Sequence, residues 1–442
     1  DFSIDGAKWY DMGEGTWLKK GQSSINSHKN PKETLVAYFG RVNYSYADRY
    51  LVSVSARYEG SSKFGVNNRY GWFPAVSAAW RISNESFLRN VNWLNDLRLR
   101  FGYGRTGNAG FDPGVTTRMY KPDTSSSIVR AWYFNGGWSS VYGLARNVNP
   151  DLQWETKDEY NFGLDFEVLD RRLGGKLDVY KRKVDNMIYN ISVSQPPAVY
   201  DKTTMNVGSM QNTGFEIELT GVPVQTKDWN YTTSFRLARN KTRLITLWGS
   251  QTTFDDYDFP TPGSPGKAVR LAPGEDIGQF YIWKYAGIAD DGSWLLYDKD
   301  NNIIPASQKT PDDKRFIGQA TPDVILSWDN SISWKNFDLS LFFRSWIGND
   351  VFNMTEMYHG LQSASGQNTR NRLKSAFGRN AKITGEKELC DYFLEDGSFL
   401  KLDAATLGYT LRIPSIKSYI RSIRFTFTAR NVFCLTKYRG ID

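Results

Sequence analysis

The sequence predicts an all-β fold, an antiparallel transmembrane β-barrel, on three observations. Segments along the chain alternate apolar and polar side chains at period two, and the connections between them are short and long in turn. A chain that is 15% aromatic nonetheless has a mean hydropathy of only -0.51. Barrel strands turn one face to lipid and the other to a polar lumen, so a low mean hydropathy is compatible with a bilayer. No run approaches the roughly 18 apolar residues of a spanning helix, which excludes a helical membrane protein.

In chain order, strands are expected at 35–46, 50–58, 74–82, 97–103, 160–168, 175–188, 215–219, 229–235, 324–334, 337–346, 398–411 and 423–429, twelve in all. The clearest is 160–168, where Tyr160, Phe162, Leu164, Phe166 and Val168 alternate with Asn161, Gly163, Asp165 and Glu167. Aromatic residues gather near strand ends, at Tyr44, Tyr46, Tyr50, Trp72, Trp80, Trp334 and Tyr409, as an interfacial girdle requires. A soluble sandwich or propeller alternates too, and the loops separate the readings. Links at 47–49, 170–174, 221–228 and 335–336 are short, whereas 108–157, 189–211, 240–323 and 348–397 are long. Outer-membrane barrels alternate short periplasmic turns with long extracellular loops, and no fixed propeller period is present.

The same rhythm places residues 1–34 and 435–442 on the extracellular side, so an odd number of strands is expected before residue 1 and another after 442. With Asp1 first and no signal peptide, the chain reads as a processed product or a fragment. The net charge of +8 is scattered rather than clustered, which argues against a nucleic-acid partner. Cys390 and Cys434 are too few for a disulfide framework, and two histidines are too few for the usual zinc clusters.

Several phrases then carry a resemblance. Tyr38-Phe-Gly-Arg-Val-Asn-Tyr-Ser-Tyr-Ala-Asp-Arg-Tyr50, Arg57-Tyr-Glu-Gly-Ser-Ser-Lys-Phe-Gly65 and Gly71-Trp-Phe-Pro-Ala-Val-Ser-Ala-Ala-Trp-Arg-Ile82 resemble the SusC/RagA-type TonB-dependent transporters. So do Tyr103-Gly-Arg-Thr-Gly-Asn108, Asn149-Pro-Asp-Leu-Gln-Trp-Glu-Thr156, Asn206-Val-Gly-Ser-Met-Gln-Asn-Thr-Gly-Phe-Glu216, Lys335-Asn-Phe-Asp-Leu-Ser340 and Ser398-Phe-Leu-Lys-Leu402. The resemblance implies a 22-stranded plugged barrel in the bacterial outer membrane, of which residues 1–442 are a partial barrel domain, with plug, earlier strands and final strand outside it. It further implies active import of oligosaccharides or peptides, contact with TonB through the plug region, and a SusD-like surface lipoprotein as a hinged lid. A dimer of transporter–lid pairs is compatible with it. The alternatives are a siderophore-type TonB-dependent receptor, or a secreted glycan-binding protein or glycosidase. Two local expectations concern glycines: Gly214 starts a strand after a turn, and Phe64-Gly-Val-Asn-Asn-Arg69 forms a hairpin tip with positive φ.

For chemistry the sequence offers little. Asp298, Asp300 and Asn302 have the one-three-five spacing of a calcium loop, but Ile303 stands where glycine is needed and Lys309 where a bidentate Glu belongs, so an ordinary turn is expected. The acid pairs Asp255–Asp256 and Asp312–Asp313 read as solvated, and His28 and His359 lack partners. No catalytic residue, metal ligand or cofactor is expected. Aromatic side chains in long loops are the substrate-binding candidates, since sugar rings and peptide side chains pack on flat faces. These are Trp132, Tyr133, Phe134 and Trp138 after the fourth strand, and Trp248, Phe254, Tyr257 and Phe259 after the eighth. Packing within the loop, or contact with the lid, is the competing role. Arg98, Arg100, Asp165, Glu167, Glu216 and Glu218 are expected to face the lumen, lining the path or holding the plug.

Overall fold

The computed structural model describes residues 33–116, 146–248, 253–255, 266–362, 371–412 and 420–440, with short stretches of backbone between 2 and 19 and between 120 and 144. The period-two segments assemble into one antiparallel sheet of twelve strands, each hydrogen-bonded to its neighbours in sequence. They are β1 Leu35–Tyr46, β2 Tyr50–Ser61, β3 Tyr70–Arg81, β4 Leu94–Asn108, β5 Glu155–Val168, β6 Leu173–Asp185, β7 Ser209–Gln225, β8 Trp229–Thr246, β9 Val324–Trp334, β10 Phe337–Ile347, β11 Phe399–Leu411 and β12 Ile423–Thr436. Every expected strand is present. Among the described residues no helix is long and apolar enough to cross a membrane.

Strand ends depart from expectation mainly on the long-loop side. β8 continues past residue 235 to Thr246, still paired with β7 through Gln211↔Arg243. There Arg239-Asn-Lys-Thr-Arg243 puts polar residues on both faces, so the alternation fades although the ladder does not. At the other end, the expected link 221–228 contracts, because β7 runs on to Gln225 across a bulge between Gly221 and Val224. The tight turns are real: Ala47 and Asp48 both have positive φ, and Arg49 N–H donates to Tyr46 O at 3.0 Å.

Neither glycine expectation holds. Gly214 lies well inside β7, where a Cβ would stand 2.8 Å from the Tyr180 hydroxyl and 2.6 Å from Arg239 O; close packing, not a turn, requires it. Gly65 has φ -60, and the tip closes as a short 3₁₀ turn at Val66–Asn68. What excludes a side chain there is Pro150 O, which a Cβ would overlap.

One face of the sheet carries two aromatic belts. Tyr46, Tyr50 and Trp80 stack in sequence at 6.5 Å across β1, β2 and β3. Trp229, Trp334, Phe337 and Tyr409 continue this lower belt across β8 to β11, at 5.5, 6.0 and 4.6 Å. Following the register, Tyr50 stands opposite Trp80, Leu99, Leu164, Leu177, Ile217 and finally Leu237 on β8. The belt residue on β8 is Trp229, eight positions before Leu237. Eight residues at about 3.3 Å, over about six strand spacings of about 4.8 Å, give a strand tilt of about 40°, the inclination that barrel closure demands. The upper belt comprises Tyr58, Tyr70 and Trp72, then the Tyr103–Tyr160 pair at 5.0 Å and the Trp328–Phe343 pair at 5.2 Å. Between the belts this face is apolar and exposed, as with Val42, Val52, Val54 and Phe162, which is a surface built for hydrocarbon. Buried apolar side chains instead collect above the wall, in two clusters at its long-loop rim.

Candidate functional site

The face opposite the belts is a lattice of charge. The Arg100 guanidinium donates to both oxygens of Asp165, at 2.9 and 2.8 Å, and to both of Asp178, at 3.1 and 3.0 Å, so one cation joins β4, β5 and β6. Arg236 meets Asp329 at 2.6 Å across β8 and β9, Arg344 meets Asp403 at 2.7 Å, and Arg424 makes a two-pronged contact with Asp338 at 2.8 and 2.7 Å. Arg98 reaches Asp96 at 3.2 Å, Glu167 pairs with Arg171 at 3.4 Å, and Glu218 lies 3.8 Å from Arg236. Two-pronged arginine–carboxylate pairs are the strong, directional kind, and here they cross-link strands. All six charges expected on the lumen side share this face, by the alternation of the register.

At the rim, five of the quoted phrases meet in one clamp. Phe64, Phe73, Leu152 and Trp154 are buried, Leu152 completely, with Trp154 4.6 Å from the Phe64 ring and 5.3 Å from that of Phe73. The Trp154 indole donates to Arg69 O at 3.0 Å, and Asn68 Nδ2 to Asp151 O at 3.0 Å. Beyond it, Asn147 and Asn149 stand in for a strand beside the hairpin Ile188–Ser192 and Lys202–Asn206. Asn147 Nδ2 donates to Tyr200 O and Lys202 O at 2.7 and 2.8 Å, and Asn149 Nδ2 to Thr204 O at 3.0 Å. Asn206 closes the row by exchanging bonds with the Gln153 backbone at 2.8 and 3.0 Å. Residues two apart thus read carbonyls two apart, the spacing of a β-ladder. A groove of about 560 Å³ opens here between Leu144, Val148, Val193, Pro197 and Val199. Its aliphatic lining suits an apolar side chain or the flat face of a sugar.

The loops after β8 and β10 fold together into a cap with its own core. Ile282, Leu296, Met357 and Phe393 are fully buried, and Trp294 and Phe352 nearly so. The α-helix α1 Met354–His359 starts at Asn353, whose side chain accepts from Glu356 N–H at 2.8 Å. Glu356 in turn accepts from Asn380 at 2.7 Å and faces Arg379 at 2.8 Å. Asp298 closes a hairpin turn, accepting from the Asp300 and Asn302 amides at 2.8 Å each and from the Asn302 side chain at 3.0 Å. The Asn302 side chain, with its amide, holds that carboxyl below its ordinary value. Asp313 corrects an expectation: it is buried rather than solvated, accepting from Thr310 N–H at 2.7 Å, the Thr310 hydroxyl at 2.8 Å and Lys299 N–H at 2.9 Å. These donors, the Thr310 amide foremost, also lower its pKa.

Of the aromatic candidates, Trp132, Tyr133 and Phe134 lie on the strand Ala131–Phe134, paired with Gly137–Ser140 so that Tyr133 is opposite Trp138 in backbone register. One antiparallel strand pair therefore carries that cluster. Trp248 is exposed just beyond β8, and the Phe254 backbone pairs with Leu271. Tyr257 and Phe259 lie outside the described residues. Sequence reading missed other rim aromatics. Trp283 has Lys309 and Lys314 over its ring at 4.9 and 4.5 Å, and Tyr281 has Arg270 over its ring at 3.8 Å with Phe316 tilted against it at 5.1 Å. Their partners come from distant chain segments, so no local pattern announces them.

Comparison with known proteins bears on this architecture. The family model described as TonB dependent receptor-like, beta-barrel matches residues 3–432. TonB-dependent receptor SusC of Bacteroides thetaiotaomicron is 30% identical over 93% of this chain and 41% of its own length. TonB-dependent receptor P3 of Formosa agariphila is 29% identical over 94% of this chain and 42% of its own. The solved RagAB peptide transporter superposes with a TM-score of 0.79 at 27% identity, covering 95% of this chain and 46% of that one. The chain thus spans less than half the length of the relatives it matches.

Proposed function

The chain belongs to the TonB-dependent receptor-like β-barrel family, and from that premise we propose that it forms barrel wall and extracellular mouth of an active outer-membrane importer of oligosaccharides or peptides. The observation that carries this reading is the agreement of a doubly belted, tilted, charge-lined wall with SusC and RagAB relatives aligned along nearly the whole chain. In this reading a SusD-like surface lipoprotein closes over the rim. Substrate is trapped between that lid and a plug seated on the charge lattice, and TonB withdraws the plug using inner-membrane energy. The residues described here then have distinct tasks. Arg100, Asp165 and Asp178 keep the wall polar for the plug, the clamp fixes the mouth, and the aliphatic groove with the paired strands Ala131–Phe134 and Gly137–Ser140 meets substrate. The solved relative is a peptide transporter, which makes peptides the first substrates to try.

The test is purification of the full-length protein from its native outer membrane in detergent, with mass spectrometry of whatever accompanies it. Co-purification of a surface lipoprotein, and loss of peptide or oligosaccharide uptake when TonB is removed, are expected. A protein that purifies without any lipoprotein and takes up iron chelates instead would be a siderophore-type receptor, and the proposal would fail.

A further inference from the structure

The upper aromatic belt is interrupted in one sector. Tyr160 on β5 is followed in register by Lys181 on β6, Thr213 on β7 and Lys241 on β8, with Arg239 opposite Phe215. Aromatic residues resume at this level with Phe235 on β8, opposite Trp328 on β9, which pairs with Phe343 on β10. Belt spacing fixes the depth of these cations. Tyr50 and Tyr58 mark the two belts on β2, eight residues apart, so on β8 the position equivalent to Tyr58 lies eight residues above Trp229, at Leu237. Arg239 and Lys241 are the next two outward positions, about 7 and 13 Å along the tilted strand, which is head-group depth.

Elsewhere on this face charges are matched. Arg105 makes a two-pronged contact with Asp158 at 2.8 Å, and Lys183 pairs with Asp185 at 2.9 Å. In the interrupted sector Lys241 and Arg243 share the single carboxylate of Asp276, each at 3.2 Å. Lys181 and Arg239 are exposed and have no ion pair among the described residues. Directly below, a groove of about 720 Å³ runs over Phe162, Val179 and Phe215 and is bounded above by Lys181, Arg239 and Lys241. Lys181 and Lys241 stand two strand spacings apart, about 10 Å, so both long side chains reach a group placed between them over Thr213. Four cations facing a single carboxylate, above a lipid-facing apolar trough, leave an excess of positive charge complementary to a phosphate carried on acyl chains.

We propose that this sector is a binding site for a phosphorylated lipid of the outer leaflet, with phosphate on Lys181, Arg239 and Lys241 and an acyl chain along Phe162, Val179 and Phe215. The proposal rests on the membrane placement of the wall and is independent of what the protein imports.

The full-length protein in detergent is titrated with lipid A, in its phosphorylated form and after enzymatic dephosphorylation, and bound lipid is counted by native mass spectrometry. Preference for the phosphorylated form is expected. Each single change, Lys181→Ala or Arg239→Ala, should weaken it roughly fivefold, and the triple change with Lys241→Ala on the order of 100-fold. Affinity for the dephosphorylated lipid should not change. Lys181→Arg with Lys241→Arg keeps the charge and should keep binding, and Arg424→Ala on the opposite face should have no effect. Equal binding of the two lipids, or unchanged affinity in the folded single variants, would overturn the assignment.

Discussion

The clamp and the cap stand over the same wall but are attached to it differently. The clamp draws its aromatic core from the wall itself: Phe73 belongs to β3, and Trp154 immediately precedes β5. The cap is built almost wholly from loop residues, and touches the wall chiefly where Leu244 exchanges backbone bonds with Gly274 and Glu275 at 2.8 and 3.0 Å; Asp350–Phe352 pairs with Leu394–Asp396 within the loop itself. One device anchors loops, and the other lets loops fold on themselves. A core made inside a loop can change its outer surface without disturbing strand register, whereas a core shared with strands cannot.

That contrast can be broken most directly by Trp154→Ala, which should cost about 3–5 kcal/mol locally. Hydrogen exchange should then rise in 147–154 and 188–206, while the cap around Trp294 stays protected. If Phe393→Ala in the cap released the same clamp segments, the two would be a single cooperative unit. A smaller effect is expected from Gly65→Ala, whose Cβ would collide with Pro150 O; overpacking of this kind costs about 1–3 kcal/mol, read as a lower temperature for proteolytic cleavage near 150. Asn147→Ala should cost about 1 kcal/mol and loosen only the 199–202 backbone, with β4 and β5 unaffected in exchange.

The smallest effect is one of pH. Because hydrogen bonds hold Asp298 and Asp313 below the ordinary carboxylate value, their support of the cap is complete above about pH 4 and is lost as pH falls through their lowered values. Protection of the Thr310 and Lys299 amides should therefore decline in strong acid. Asp313→Asn should remove that pH dependence.

How much of this was legible in the sequence follows from which solvent each residue meets. The wall separates two solvents, so β5 reads as strict alternation and its place in the sheet was evident. Where β8 emerges from the bilayer both faces meet water, and the alternation ends eleven residues before the strand does. The clamp was legible as wording, in Gly65, Gly71-Trp-Phe and Leu152-Gln-Trp, but not as a contact, because the Trp154 indole bonds to a carbonyl 85 residues away. The cap was not legible, since its strands run only two to five residues and no period can establish itself over so few. Asp313 was misread for a related reason: adjacency to Asp312 suggested a solvated pair, and the Thr310 capping box is visible only once the turn is formed.

The charge lattice also bears on how a pore can be uncovered. A wall of lone cations would bind an occupant tightly and, once vacated, would expose a strong field to the incoming substrate. Here guanidinium groups such as Arg100, Arg236, Arg344 and Arg424 already face carboxylates of their own wall. Emptying the lumen therefore leaves paired dipoles rather than naked ions, and water can replace the departing surface at little electrostatic cost. In the importer proposed above, such a lining would be a low-friction bearing: it would support whatever sits within it without gripping it by charge, and would offer a passing solute no deep electrostatic trap.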